Sequence, residues 1–242
     1  MKNSKVKAFT LIELSVVLII IGLIISAIVA GNELISQARV RGVIREVQSI
    51  QTSINTFKLK FDYLPGDFPK AGAIWTSATC ANSNATAGCN GNGDYIIPIS
   101  AGTNGSEGYR VWQHLSLSGL MNAEYTGTSA MTDQFKSSYA EGGYIIVRYT
   151  SPFASSLSYN FLEMGGWNGT LSTNGLLTPV DAYGLDSKMD DGIANKGKLF
   201  GIDGSNISGG RCSYPVGSTN GLPNYNILGT QGAYCRMKIM TE

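Results

Sequence analysis

The chain has 242 residues, of which 43% are hydrophobic and 14% charged, so it can form one or two packed domains and is not disordered. Eighteen Lys and Arg against 17 Asp and Glu give a formal charge of +1, which predicts no broad basic surface for nucleic acid. His114 is the only histidine, and no G-x-S-x-G motif is present, so neither a multi-histidine metal site nor a serine hydrolase is expected, and we predict no enzyme and no catalytic residue.

Turn-forming residues are concentrated in the later part of the chain. All 7 prolines and 27 of the 30 glycines follow residue 61. The first quarter therefore predicts one long helix, and the remainder predicts short strands joined by Gly- and Asn-rich loops. The sequence indicates an α+β fold in which the helix packs against a small antiparallel sheet.

The N-terminus combines a basic segment with a long apolar one. Lys2, Lys5 and Lys7 precede residues 9–31, in which Glu13 is the only charged side chain. This length can cross a hydrocarbon core of about 30 Å as a helix, with the lysines on the cytoplasmic side. We expect an N-in, C-out membrane protein.

A cleaved secretory signal peptide is the alternative reading of this segment. Cleavage would then fall near Ala30. The apolar run is longer than the roughly 7 to 15 residues usual in such signals, Ile28 is too large for the cleavage site, and Glu13 interrupts the run.

Glu13 is costly inside a membrane span unless it has a partner. Residues 9–31 contain no basic side chain. Cleavage between Ala8 and Phe9 would create an α-amino group four residues before Glu13, and this cation could pair with the carboxylate.

The segment Ala8-Phe9-Thr10-Leu11-Ile12-Glu13, after its short basic leader, resembles the type III signal of type IV prepilins and type II secretion pseudopilins, with Ala8 where glycine is usual. The resemblance implies that a prepilin peptidase removes residues 1–8 and N-methylates Phe9. It makes Glu13 the acidic fifth residue of the mature chain. In a stack of parallel helices, Glu13 could neutralise the amine of a neighbouring subunit and so set the axial register, the alternative being an acid that is merely tolerated at the interface end of the span. The expected partners are copies of the chain or related pilins, the assembly platform and the membrane.

Residues 32–61 predict an amphipathic continuation of the helix. Apolar residues recur at intervals of three and four, at Val43, Val47, Ile50, Ile54, Phe57 and Phe61. We expect this stripe to pack on the chain's own globular domain. The predicted organisation is a leader (1–8), a transmembrane and assembly helix (9–31), an amphipathic helix (32–61) and an extracytoplasmic pilin-like domain (62–242).

The globular part contains one predicted helix and three predicted strands. Pro65 and Gly66 end the long helix, and residues 106–119 predict a second, short one that carries His114 as a surface or packing residue. The β-branched and aromatic segments 144–149, 158–164 and 234–240 predict strands.

The four cysteines predict disulfides in an oxidising compartment. Three pairings are open, and we favour Cys80 with Cys89 and Cys212 with Cys235 because each encloses a loop that a crosslink would restrict. The second loop resembles the disulfide-bounded loop of type IV pilins. Zinc binding is disfavoured because C-x₂-C spacing is absent.

An acidic segment in the later part of the chain is a candidate calcium site. Asp186, Asp190 and Asp191 lie beside a glycine turn. The segment resembles a recurring motif of some large prepilin-like proteins, and major pseudopilins of type II secretion use a calcium ion to hold a comparable outer loop. The spacing is not that of an EF-hand, and the same acids could instead be helix caps or solvated groups. No other cofactor is expected.

These features predict a structural filament subunit rather than an enzyme. A surface type IV pilin and a type II secretion pseudopilin share all of these features, so the expected location is a cell-surface pilus or a periplasmic pseudopilus after assembly from the cytoplasmic membrane. A membrane-tethered binding domain, such as an adhesin, is the alternative from another class, and it would remain monomeric.

Overall fold

The structure is a computed structural model of the chain. It describes residues 10–75, 80, 89–99, 103, 105–151, 154–207, 211–213, 225–229 and 232–241. The chain divides into two compact units, the first ending at Arg39 and the second beginning at Val40.

The first element is α1, Leu11–Phe61, a helix of 51 residues. No proline interrupts it, and it ends where Asp62 adopts φ 61°, a left-handed conformation that aspartate tolerates better than most residues. Pro65 follows shortly afterwards and prevents helical continuation. The predicted single helix and its end before Pro65 are thus confirmed.

The second unit begins within α1 and uses one face of it as core. The buried residues of α1 recur every three or four positions and are Val40, Val43, Val47, Ile50, Ser53, Ile54 and Phe57. Phe61 is partly buried against the same core. The predicted apolar stripe is therefore the side of α1 that packs within this unit.

Within the described residues, five strands form one antiparallel sheet in the order β1-β2-β3-β5-β4. The strands are β1 Phe135–Lys136, β2 Gly142–Ser151, β3 Ala154–Gly166, β4 Leu199–Asp203 and β5 Cys235–Met240. The register places Tyr144 opposite Met164 and Leu199 opposite Ile239. These four side chains point to the face that shares a hydrophobic core with α1.

Three further α-helices and a 3-10 turn complete the described elements. The helices are α2 Ala71–Ile74, α3 Glu107–Leu117 and α4 Pro179–Met189, and the turn spans Met131–Asp133. In α3, Val111, Trp112 and Leu115 are fully buried in the core with Phe57. In α4, Thr178 caps the N-terminus by accepting a hydrogen bond from the backbone N–H of Asp181.

The fold class predicted from sequence is confirmed, because a long helix packs with a small antiparallel sheet. The segments predicted as strands lie within β2, β3 and β5, apart from Tyr234, which precedes β5. The sequence reading missed β1, β4 and the full extent of α4.

Candidate functional site

The first part of α1 exposes apolar side chains around its whole circumference. Leu11 is 88% exposed and Ile12 74%, and large aliphatic residues remain exposed as far as Ile35. Among the described residues, Leu11–Phe61 is the one helix whose length and composition would allow it to cross a membrane. Each exposed Å² of apolar surface costs about 25 cal/mol in water, so exposure of this segment to water is unfavourable.

Glu13 lies in the first turn of this helix and closes a capping box with Thr10. The Thr10 backbone N–H and hydroxyl donate to Glu13 Oε2 at 2.8 and 2.9 Å, and the Glu13 N–H donates to Thr10 Oγ1 at 3.2 Å. Each residue satisfies a backbone donor that the helix leaves free. Glu13 therefore has a partner within its own chain, which the sequence reading overlooked.

The capping box could have been recognised from the sequence. Thr10-Leu11-Ile12-Glu13 matches the pattern S/T-x-x-E before an apolar run. Cleavage before Phe9 would leave it intact, because both of its residues follow that bond. The predicted cleavage and methylation residues, Ala8 and Phe9, lie outside the described residues.

Two disulfides crosslink the second unit. Cys80 is bonded to Cys89 and Cys212 to Cys235, the sequential pairing that the sequence favours. The second bond joins the first residue of β5 to a loop whose residues 214–224 lie outside the described part. Both cysteines of this bond are fully buried.

His114 is fully buried in a cluster of aromatic rings and serves packing. The Gly66 N–H donates to Nδ1 at 2.8 Å, so Nε2 carries the proton and donates to the Cys89 carbonyl at 2.8 Å. The ring stacks on Phe57 at 6.0 Å between centroids. Burial lowers the pKa of His114 to about 4. The ring is neutral at physiological pH and ties the end of α1 to the first disulfide.

The predicted calcium residues do lie together at the C-terminal end of α4. Carboxylate oxygens of Asp186, Asp190 and Asp191 lie within 4.8 Å of one another. Asp186 is fully buried, and it accepts hydrogen bonds from the Tyr225 hydroxyl at 2.8 Å and the Gly192 N–H at 3.1 Å. Burial, together with the two neighbouring carboxylates, raises the pKa of Asp186 to about 6.

This donor set fits calcium in type, because all three ligands are carboxylate oxygens. The carboxylates also bind backbone donors: Asp190 accepts from the N–H groups of Lys198 and Leu199, and Asp191 accepts from the N–H of Ile193. The cluster therefore ties α4 to the start of β4 through hydrogen bonds. Both oxygens of Asp186 have protein partners.

One comparison with known proteins identifies a family motif. The family model of the prokaryotic N-terminal methylation motif matches residues 3–29. This motif is the prepilin-type signal of type IV pilins and pseudopilins. No curated protein and no solved structure matches the chain.

Proposed function

Because the chain carries the prepilin-type signal, we propose that it is a structural subunit of a type IV pilus-like filament. The observation that carries the proposal is the coincidence of this signal with a helix segment that is apolar on every side and exposed. The second unit, with its own core and disulfides, then forms the extracytoplasmic part of the subunit.

The apolar segment has two successive environments in this proposal. Before assembly it spans the cytoplasmic membrane, and after extraction it packs on the same segment of other subunits. Small residues at Gly22, Ser26, Ala27, Ala30 and Gly31 allow close approach between helices. The Ser26 hydroxyl donates to the Gly22 carbonyl at 2.9 Å, so it brings no unpaired donor into either environment.

The precursor is oriented with its lysines in the cytoplasm and its globular unit outside. Prepilin peptidase then removes residues 1–8 and methylates Phe9 on the cytoplasmic side. The exported position accounts for both disulfides, which form in oxidising compartments. After assembly the subunit lies in a pilus at the cell surface.

Glu13 sets the axial register between subunits in this proposal. In the described chain its Oε2 accepts both hydrogen bonds from Thr10, and a carboxylate offers about four acceptor positions over its two oxygens. The carboxylate can therefore keep its capping box and also accept the α-amino group of a neighbouring Phe9. The charge, rather than the cap, is what assembly requires.

Two substitutions at Glu13 separate the charge from the cap. Glutamine can still form the capping box with Thr10, whereas alanine cannot. We expect both Glu13→Gln and Glu13→Ala precursors to be cleaved normally and to yield few filaments, measured as sheared fibre protein against total processed protein. Normal filament yield from Glu13→Gln would contradict the charge requirement.

A type II secretion pseudopilin is the second candidate. The specific observation in its favour is the cluster of Asp186, Asp190 and Asp191, which would hold a structural calcium ion at the end of α4. Loss of protein secretion without loss of surface fibres in a deletion strain would favour this candidate. A chain that stays monomeric after export, without partners of its own kind, would instead favour a membrane-tethered binding domain.

A further inference from the structure

A second group of carboxylates comes from the first part of the globular unit's sequence. Asp67 follows α1, Asp94 belongs to the loop 89–99, and Glu107 is the first residue of α3. One carboxylate oxygen from each lies within 4.8 Å of the others. Asp67 and Glu107 are buried, whereas Asp94 is exposed, so the group is open to solvent on one side.

Glu107 has a buried oxygen without a hydrogen-bond partner among the described residues. Its Oε1 accepts the Asn92 N–H at 2.9 Å, but its Oε2 is inaccessible to solvent and has none. The residue is 8% exposed. A buried acceptor left unsatisfied is unfavourable, and such groups are rare in folded proteins. A cation that Glu107 binds through this oxygen would satisfy it.

Asp67 holds the loop that carries Asp94. Its Oδ1 accepts the N–H groups of Gly93 and Asp94 at 2.6 and 3.2 Å, and its Oδ2 accepts that of Tyr95 at 2.7 Å. The loop also passes so close to Asp67 that a Cβ atom at Gly91 would lie 2.2 Å from the Asp67 carbonyl carbon. The backbone thus fixes the relative positions of these carboxylates.

Burial and mutual repulsion disfavour the negative charges of these carboxylates. Burial raises the pKa of Asp67, and the charge of Asp94 adds to the effect. Burial is also the main cause that raises the pKa of Glu107 to about 7, with further contributions from Asp67 and Asp94. The positive charge of Arg110 lowers the pKa of Glu107, but it is the weakest of these effects. The Arg110 guanidinium also donates a hydrogen bond to the Asn90 carbonyl.

We propose that Asp67, Asp94 and Glu107 bind a calcium ion. The ligands are all oxygen atoms, which suits a hard cation, and exposed Asp94 provides the path of entry. Calcium takes six to eight oxygen ligands, so water completes the shell on the open side. The ion fastens the loop 89–99 to the N-terminus of α3 and to the turn after α1. Its expected affinity rests on the exported position proposed above and is that of extracellular modules, with a Kd of about 10⁻⁴ to 10⁻³ M.

The test measures calcium binding and thermal unfolding on the detergent-solubilised full chain. We expect calcium at ten times its Kd to raise the unfolding midpoint by about 3–6 °C over the chelator-treated protein. The variants Glu107→Gln and Asp94→Asn lose this shift, and each binds about one calcium fewer per chain by equilibrium dialysis. Glu141→Gln, which removes an exposed carboxylate elsewhere, keeps both the calcium-dependent midpoint shift and the number of calcium ions bound.

A parallel variant separates this site from the acidic cluster of α4. Asp191→Asn removes an exposed ligand of that cluster, and the calcium shift that depends on Glu107 persists in it. A wild-type midpoint that does not respond to calcium would overturn the proposal. So would a shift that survives both Glu107→Gln and Asp94→Asn, or one that Asp191→Asn alone abolishes. Stabilisation by acid but not by calcium would assign the site to a bound proton instead.

Discussion

Replacing Ile50 by alanine should strongly destabilise the globular unit. Ile50 lies on α1, is fully buried, and belongs to the core that α1 shares with the sheet. Truncating a buried isoleucine removes its transfer free energy and leaves a cavity, at a cost of about 2–5 kcal/mol. For a chain of this size the midpoint of thermal unfolding should fall by roughly 4–20 °C. Tryptophan fluorescence, to which Trp112 in the same core contributes, reports the transition.

Leu59→Ala is the matched control on the same helix. Leu59 is 88% exposed, so its truncation should change the free energy of unfolding by no more than about 0.5 kcal/mol. Equal effects of the two substitutions, or a neutral Ile50→Ala, would refute the conclusion that this part of α1 forms the core of the unit.

Three other perturbations test the second unit by thermal or denaturant unfolding. Gly66→Ala should destabilise it by about 1–3 kcal/mol, because Gly66 has φ +91° and a Cβ atom there would lie 2.5 Å from the Glu107 carbonyl oxygen; an unchanged midpoint would contradict that close approach. Because burial lowers the pKa of His114, folding favours the neutral ring. The stability that this contributes is fully present above about pH 6.5 and is lost as the pH falls toward 4. His114→Phe should therefore weaken the dependence of unfolding free energy on pH in this window, by up to about 3 kcal/mol, and an unaltered dependence would show that another group is responsible. Replacing Cys212 and Cys235 together by serine should cost about 2–4 kcal/mol, and a variant as stable as the wild type would argue against a structural role for this bond.

Local signals were sufficient to predict the helices that carry strong start or stop residues. Pro65 marked the end of α1, and the apolar spacing from Val43 to Phe57 identified its buried face. The start of α4 also carries a local signal, because Thr178-Pro179 followed by Asp181 is a capping sequence, although the sequence analysis did not identify this helix start.

The missed strands show what local sequence does not determine. β4 has Gly201 at its centre, which weakens its β-propensity, and it is a strand because it pairs with β5, more than thirty residues later. β1 has only two residues and exists through its pairing with β2. Such pairings depend on the tertiary fold rather than on the segment itself.

The two acidic clusters also differ in whether the sequence alone predicts that their residues lie together. Asp186, Asp190 and Asp191 are neighbours in the sequence, so their proximity could be predicted. Asp67 and Glu107 are forty residues apart, and Glu107 alone reads as an ordinary acid in the first turn of a helix. The turn after α1 and the loop fastened to Asp67 bring them together.

Intact-mass analysis with N-terminal sequencing of the protein in purified filaments tests the central claim most directly. The account predicts a chain that begins at Phe9, carries one additional methyl group at that residue and retains the whole of α1. A chain that begins at Gly31, without its apolar segment, or filaments built from unprocessed chains that still carry residues 1–8, would contradict it.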